Sequence, residues 1–145
     1  MKKNNGKYVL VAGCGRLGAN IASVLSAQGK DVVVLDSNST AFRKLSPDYS
    51  GFAIQGDATD IDMLTQAGIE KADIVVAATN DDNTNVMIAQ IASKIFAVPK
   101  VISRLYDTEK AIVYQDYPIQ LIYPSRLSIN EFEKLISSDE TAVLK

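Results

Sequence analysis

A doubly wound α/β sheet is the fold this sequence predicts, and three observations predict it. Strand-like and helix-like segments alternate from Tyr8 onward, the pattern of repeated βα units joined by short loops. The strands are continuous apolar runs, such as VVVL within Asp31 to Asp36 and IVVAA from Ile74 to Ala78. Runs of that kind belong to a parallel sheet buried on both faces. Three glycines in G-x-G-x-x-G spacing, Gly13, Gly15 and Gly18, stand between the first strand and the first helix. The expected architecture is a Rossmann-type parallel sheet of six strands with helices on both faces.

Each element follows from local signals. Tyr8 to Ala12 is an apolar run closed by glycine. Arg16 to Gln28 carries Leu17, Ile21, Val24 and Leu25 at helical spacing, with Gly29 as the stop. Asp31 to Asp36 is the second strand. Asn38 or Ser39 can cap a short helix through Leu45, broken by Pro47. Phe52 to Gln55 is a short third strand, and Asp60 caps a helix through Ala67 that closes at Gly68. Ile74 to Ala78 is the fourth strand and Asp81 to Phe96 the longest helix. Lys100 to Arg104 is the fifth strand, followed by a helix from Thr108 to about Asp116. Gln120 to Tyr123 is a weaker sixth strand, and Ser128 to Ser137 a last helix.

Length and composition narrow the function. The 145 residues match one domain. The expected division is a disordered lead at 1–6, a single domain at 7–137 and a polar tail at 138–145, with no second domain. Net charge is -2, with the only basic cluster at Lys2-Lys3; this argues against nucleic acid, which needs a strongly basic face. The single cysteine, Cys14, excludes an intrachain disulfide and fits a reducing cytoplasm. The absence of histidine removes Ser-His-Asp triads, His-based acid-base chemistry and most zinc sites. No stretch approaches the roughly 20 apolar residues of a membrane span, so no direct membrane insertion is expected.

The glycine loop points to a nucleotide. Gly13 sits where the chain must turn, Gly15 lets backbone approach a pyrophosphate, and Gly18 lets the helix pack on the strand. The helix that follows offers free N–H groups and partial positive charge to an anion. Asp36 ends the second strand 18 residues beyond Gly18, where an acid accepts hydrogen bonds from ribose hydroxyls and repels a 2′-phosphate. NADP is therefore disfavoured. The candidate site comprises Gly13, Cys14, Gly15, Arg16, Leu17, Gly18, Asp36 and Ser37. Two further loops leave carboxyl ends of strands at the same edge. Asp57 and Ala58, in QGDAT, lie where an adenine would sit, although Asp57 equally suits a turn. Thr79 and Asn80 open a loop rich in capping residues. Arg16, inside the glycine loop, can reach a terminal phosphate, and Arg104 at the end of the fifth strand points to the same edge.

GCGRLG, Asp36, QGDAT, ADIVVAATNDDNTN and VISRLYD together resemble the TrkA-N, or RCK N-lobe, family over about Lys7 to Ile136. The resemblance implies binding of NAD(H) or an adenine nucleotide (AMP, ADP or ATP). Gly13, Gly15, Arg16 and Gly18 would hold phosphates, Asp36 the ribose, and Asp57 and Ala58 the adenine; Thr79, Asn80 and Arg104 would complete the pocket. It implies a regulatory subunit at the cytoplasmic side of the membrane, attached to a potassium-translocating membrane subunit. It also implies dimers, as a homo-oligomer or with a paralogous RCK subunit. Two features depart from the family: no C-lobe is expected, and Pro124 is followed by Ser125 rather than glutamate, which weakens a divalent-cation role there.

Two other patterns bear on function. Val86, Met87, Ile88, Ile91, Ile95 and Phe96 spread apolar groups around the longest helix, more than one covered face needs, so part of it suits a partner protomer. Leu127, Phe132, Leu135 and Ile136 mark the last helix, which either folds back or crosses to a partner. Tyr106 and Lys110 match the Y-x-x-x-K pair of short-chain dehydrogenases. A small NAD-dependent oxidoreductase is thus the alternative, but the pair falls in a loop and a regulatory, non-enzymatic role is expected.

Overall fold

The structure, a computed structural model, describes residues 7–144, with side chains through residue 138. The expected N-terminal lead at 1–6 lies outside the described residues. Six parallel strands form one sheet: β1 (Tyr8–Ala12), β2 (Asp31–Asp36), β3 (Phe52–Gln55), β4 (Ile74–Ala77), β5 (Lys100–Arg104) and β6 (Ile119–Ile122). Their order is β3-β2-β1-β4-β5-β6, the doubly wound order with a switch point between β2-β1 and β4. Ala12 pairs with Leu35 on one side and Ala77 on the other, so β1, β2 and β4 end level. The loops leaving them meet at one edge.

Alternation along β1 and β2 sends side chains to two cores. Leu10, Ala12, Val33 and Leu35 join Leu64, Ile88 and Leu105 on one face. Val9, Val11, Val32 and Val34 join Ala19 and Ala22 of α1 (Arg16–Ala27) on the other. The first face is covered by α2 (Ile61–Gln66) and α3 (Asp82–Gln90). Burying strands on both sides explains why these runs are uniformly apolar.

Several boundaries differ from the expectation. The segment after β2 is a 3-10 helix, Ser39–Lys44, with Asn38 Oδ1 accepting from Thr40 N–H. The one after β5 is also 3-10, Thr108–Tyr114, and stops before Asp116. The longest helix changes character at Ile91, where Ile91–Ile95 forms a π-helical turn closed by Phe96 N–H to Ile91 O. Ile88 and Ile91 are buried and Val86 and Phe96 pack against them, so most of its apolar groups serve the core; Met87 and Ile95 remain exposed. The last helix, α4 (Pro124–Leu144), begins four residues before Ser128. Proline is favoured in the first helical turn because its missing N–H has no partner to lose there. The helix also takes in 138–144, which were expected as a tail. Leu127, Ile129, Phe132, Leu135 and Ile136 of α4 are all exposed.

Candidate functional site

The three glycines do different things. Gly13 adopts φ +106° and donates its N–H to Leu35 O at 2.8 Å; a Cβ there would lie 2.7 Å from Thr79 N. Gly18 lies where a Cβ would fall 1.8 Å from Gly13 O, so α1 and the loop touch backbone to backbone. Gly15 is unlike both. Its φ of -77° and ψ of -164° suit any residue, and nothing in the chain lies within 4 Å of the Cβ it lacks. The space beside Gly15 belongs to the crevice. Gly15 is also the N-cap of α1, with no side-chain cap and no acidic residue in the first turn. The first N–H groups of α1 are left without a side-chain acceptor, the arrangement that suits an anion.

Asp36 fastens this loop. Its Oδ2 accepts from Cys14 N–H at 2.7 Å and its Oδ1 from Asn38 N–H at 2.8 Å. A carboxylate oxygen has two acceptor sites, so each can still take a ribose hydroxyl. Cys14 contributes backbone only: its side chain is fully buried, and burial, with the Asp36 charge, pushes its thiol pKa up. Beyond β3, Gly56 N–H donates to Asp36 O. Asp57 Oδ1 accepts from both Thr59 N–H and Thr59 Oγ1 at 2.9 and 2.7 Å. Those bonds hold its carboxyl below the usual range. The turn role of Asp57 is thus real, and it uses one carboxylate oxygen.

The opposite wall is built from side chains. Fully buried Asn85 accepts from Thr79 N–H at 2.9 Å and donates Nδ2–H to Thr79 O and Arg104 O at 3.0 and 3.3 Å. Arg104 Nη1 donates to Thr79 O at 2.9 Å, and its guanidinium lies 4.0 Å over the Tyr106 ring. Buried Asp82 accepts from Tyr106 N–H and Asp107 N–H, both at 2.9 Å. A carboxylate so placed satisfies two loop donors that have no sheet partner.

These groups surround one crevice of about 560 Å³ at the carboxyl ends of the strands. Gly13, Cys14, Gly15, Arg16, Asp36, Ser37, Asp57, Ala58, Thr79, Asn80 and Arg104 all line it. Leu17 and Gly18 do not. Leu17 packs on the α1-side core, because the first turn of α1 carries it away from the loop, and Gly18 supports Gly13 from behind. Lys44, Asn38 and Ala41, on the 3-10 segment after β2, also line the crevice and went unpredicted. Their signal is weak, since nothing but the position after a strand end marks them. Asp82 was read only as part of a capping-rich stretch, and Asn85 was given no role of its own. The Tyr106-Lys110 pair does not assemble: Tyr106 stacks with Arg104, while Lys110 Nζ donates to Asn83 Oδ1. No cluster of three or more metal-ligating His, Cys, Asp or Glu exists among the described residues.

Comparison with known proteins places this geometry. The TrkA-N domain family matches residues 9–123. The Trk system potassium uptake protein TrkA of Streptomyces coelicolor is 36% identical over 124 residues, covering 86% of this chain and 56% of that protein. The chain spans about half the length of the curated relatives it matches. The Shewanella denitrificans Kef CTD in its AMP-bound form superposes with TM-score 0.69 at 26% identity, over 89% of this chain and 81% of that one. The GsuK channel bound to NAD superposes with TM-score 0.78 at 23% identity, over 99% of this chain and 26% of that one.

Proposed function

This chain belongs to the TrkA-N domain family, and we propose that it is the nucleotide-sensing part of a regulatory subunit for potassium uptake or a potassium channel. It binds an adenine nucleotide or NAD(H) in the crevice and lies at the cytoplasmic face of the membrane through a potassium-translocating partner. Among the described residues no helix is long and apolar enough to cross a membrane. The TrkA relative supports the potassium-transport role. The AMP-bound and NAD-bound neighbours support the ligand class.

The observation that carries the ligand reading is Gly15. A glycine that neither its dihedrals nor its neighbours require makes sense where backbone must approach a ligand. The uncapped helix start then meets phosphate, and Asp36 meets the ribose. Its negative charge disfavours a 2′-phosphate, hence NADP. The chain works as a dimer, with itself or a paralogous subunit, and exposed Met87, Ile95 and α4 provide apolar surface for that contact. Nucleotide changes gating by binding one dimer geometry better than the other, since equal affinity shifts nothing. Its role is non-catalytic, consistent with the dispersed Tyr106 and Lys110.

A thermal-shift panel of AMP, ADP, ATP, NAD⁺, NADH and NADPH tests the reading. A ligand at a hundred times its Kd stabilises by about 2.7 kcal/mol. At least one nucleotide other than NADPH raises the Tm; if none does, the sensing role is wrong.

A further inference from the structure

We infer that Asp82 is a positioning residue that couples the crevice to the 3-10 segment Thr108–Tyr114, so that filling the crevice steadies that segment. The coupling operates only if the crevice is a nucleotide site, as proposed above; what is added is where else on the molecule the occupied state is felt.

Asp82 is not the cap of its own helix. Asp81, the residue before it, already caps α3, with its Oδ2 accepting from Thr84 N–H at 3.0 Å. The Asp82 carboxylate is buried and turns to a segment 24 and 25 residues away, accepting from Tyr106 N–H and Asp107 N–H at 2.9 Å each. Burying a carboxylate is costly unless its oxygens are met, so both N–H groups are tied firmly to the first turn of α3. Each end of this tie leads somewhere. Thr79 and Asn80, which line the crevice, precede Asp82 in the same loop. Asp107 Oδ1 accepts from Glu109 N–H at 3.0 Å and so caps the 3-10 segment. Tyr106 stacks at 4.0 Å with the guanidinium of Arg104, which also lines the crevice. Two links therefore run from crevice to segment, one through the Asp82 carboxylate and one through the Arg104-Tyr106 stack.

The segment is built to respond. Hydrogen bonds in a 3-10 helix have poorer geometry than those of an α-helix. Ile112 and Val113 are 68% and 42% exposed, so the middle of the segment gains little from packing. At its far end Tyr114 is buried, with its hydroxyl 2.9 Å from Ser103 Oγ. The segment is thus pinned at Tyr114 and held at its start by the Asp107 cap, which Asp82 carries. Stretches with few buried apolar contacts open locally at the lowest cost. An occupant touching Thr79, Asn80 or Arg104 favours the state in which the loop and the stack are in place, and Asp82 passes that preference to Asp107.

Hydrogen exchange read by NMR at individual amides, without nucleotide and with saturating ADP or NAD⁺, is the test. In wild type saturated with either nucleotide that binds, the amides of 109–113 exchange about fivefold or more slowly, the lower end of ordinary coupling between sites. Asp82→Asn meets one of the two N–H groups with its amide oxygen and turns an N–H donor toward the other. At saturation its 109–113 amides slow by less than about twofold, while those of Gly15 and Arg16 still slow. A merely structural role for Asp82 would speed exchange equally with and without nucleotide and leave the nucleotide effect on 109–113 intact, and that result overturns the coupling. Wild-type slowing confined to the crevice loops also overturns it and leaves the nucleotide site standing. If neither nucleotide binds, the coupling falls with the site. Should Asp82→Asn not fold, Tyr106→Leu, at a half-exposed side chain, cuts the second link and reduces the effect on 109–113; an unchanged effect there overturns the coupling.

Discussion

The two walls of the crevice are built from different materials. At the β1-β2 wall the structure is made mostly by backbone: Gly13 N–H on Leu35 O and Gly18 pressed against Gly13, with one carboxylate, Asp36, accepting from Cys14 N–H. At the β4-β5 wall it is made by side chains: Asn85, Asp82 and Arg104 bridge segments up to 25 residues apart. Backbone construction demands particular residues at fixed spacing, because a φ of +106° and a backbone-to-backbone contact both favour glycine. Side-chain construction can be met by many sequences and leaves no spacing to read. One wall is therefore a motif and the other an arrangement.

The comparison predicts a graded response to mutation. The largest effect is at Gly18. Gly18→Val puts atoms where Gly13 O already stands, and chemical denaturation should show a loss of about 4 kcal/mol or more, the range reserved for severe overpacking. Gly13→Ala should cost about 2–3 kcal/mol, since both its φ of +106° and the nearby Thr79 N oppose a side chain. On the other wall, Asn85→Ala strips partners from Thr79 N–H and two carbonyls at a fully buried site. The expected loss is again about 2–3 kcal/mol. Should Asn85→Ala prove neutral, the side-chain wall is a decoration rather than a support, and the contrast between the walls collapses.

The sharper half of the comparison was visible in the sequence. Strand order was not needed to see that VLVA, VVVL and IVVAA were buried strands, and the glycines with Asp36 located the switch-point crevice. Asn38 caps its segment as expected, and Asp107 caps the one after β5, but capping signals do not distinguish a 3-10 turn from an α-helix. The last helix was expected from Ser128, whereas Pro124 begins it. Asn85 escaped because it matters through a partner distant in sequence, Arg104, and Lys44 because only its position after a strand end marks it. Leu17 was included by adjacency to the glycines, and the rotation of α1 takes it into the core.

The smallest effect is electrostatic. Hydrogen bonds from Thr59 and Thr84 hold the Asp57 and Asp81 carboxyls below their usual range. Lowered folded pKa values mean that any stability these groups add is present above the ordinary carboxylate range, and lost as pH falls through the folded values. Both are exposed, so the readout is NMR titration rather than melting. Thr59→Val removes the hydroxyl bond and should move the Asp57 midpoint up, toward the ordinary carboxylate range, without moving that of Asp81. Equal midpoints in the variant and wild type would contradict the assigned cause.

Gly15 separates stability from binding and so bears most directly on the nucleotide site. Nothing in the chain opposes a Cβ there, so Gly15→Ala should cost no more than about 1 kcal/mol, the difference expected from weaker capping alone. If Gly15 is glycine because a nucleotide passes over it, the same variant loses the nucleotide-dependent rise in Tm that wild type shows at equal ligand concentration. A Gly15→Ala protein that melts like wild type but keeps the full nucleotide shift would contradict the account.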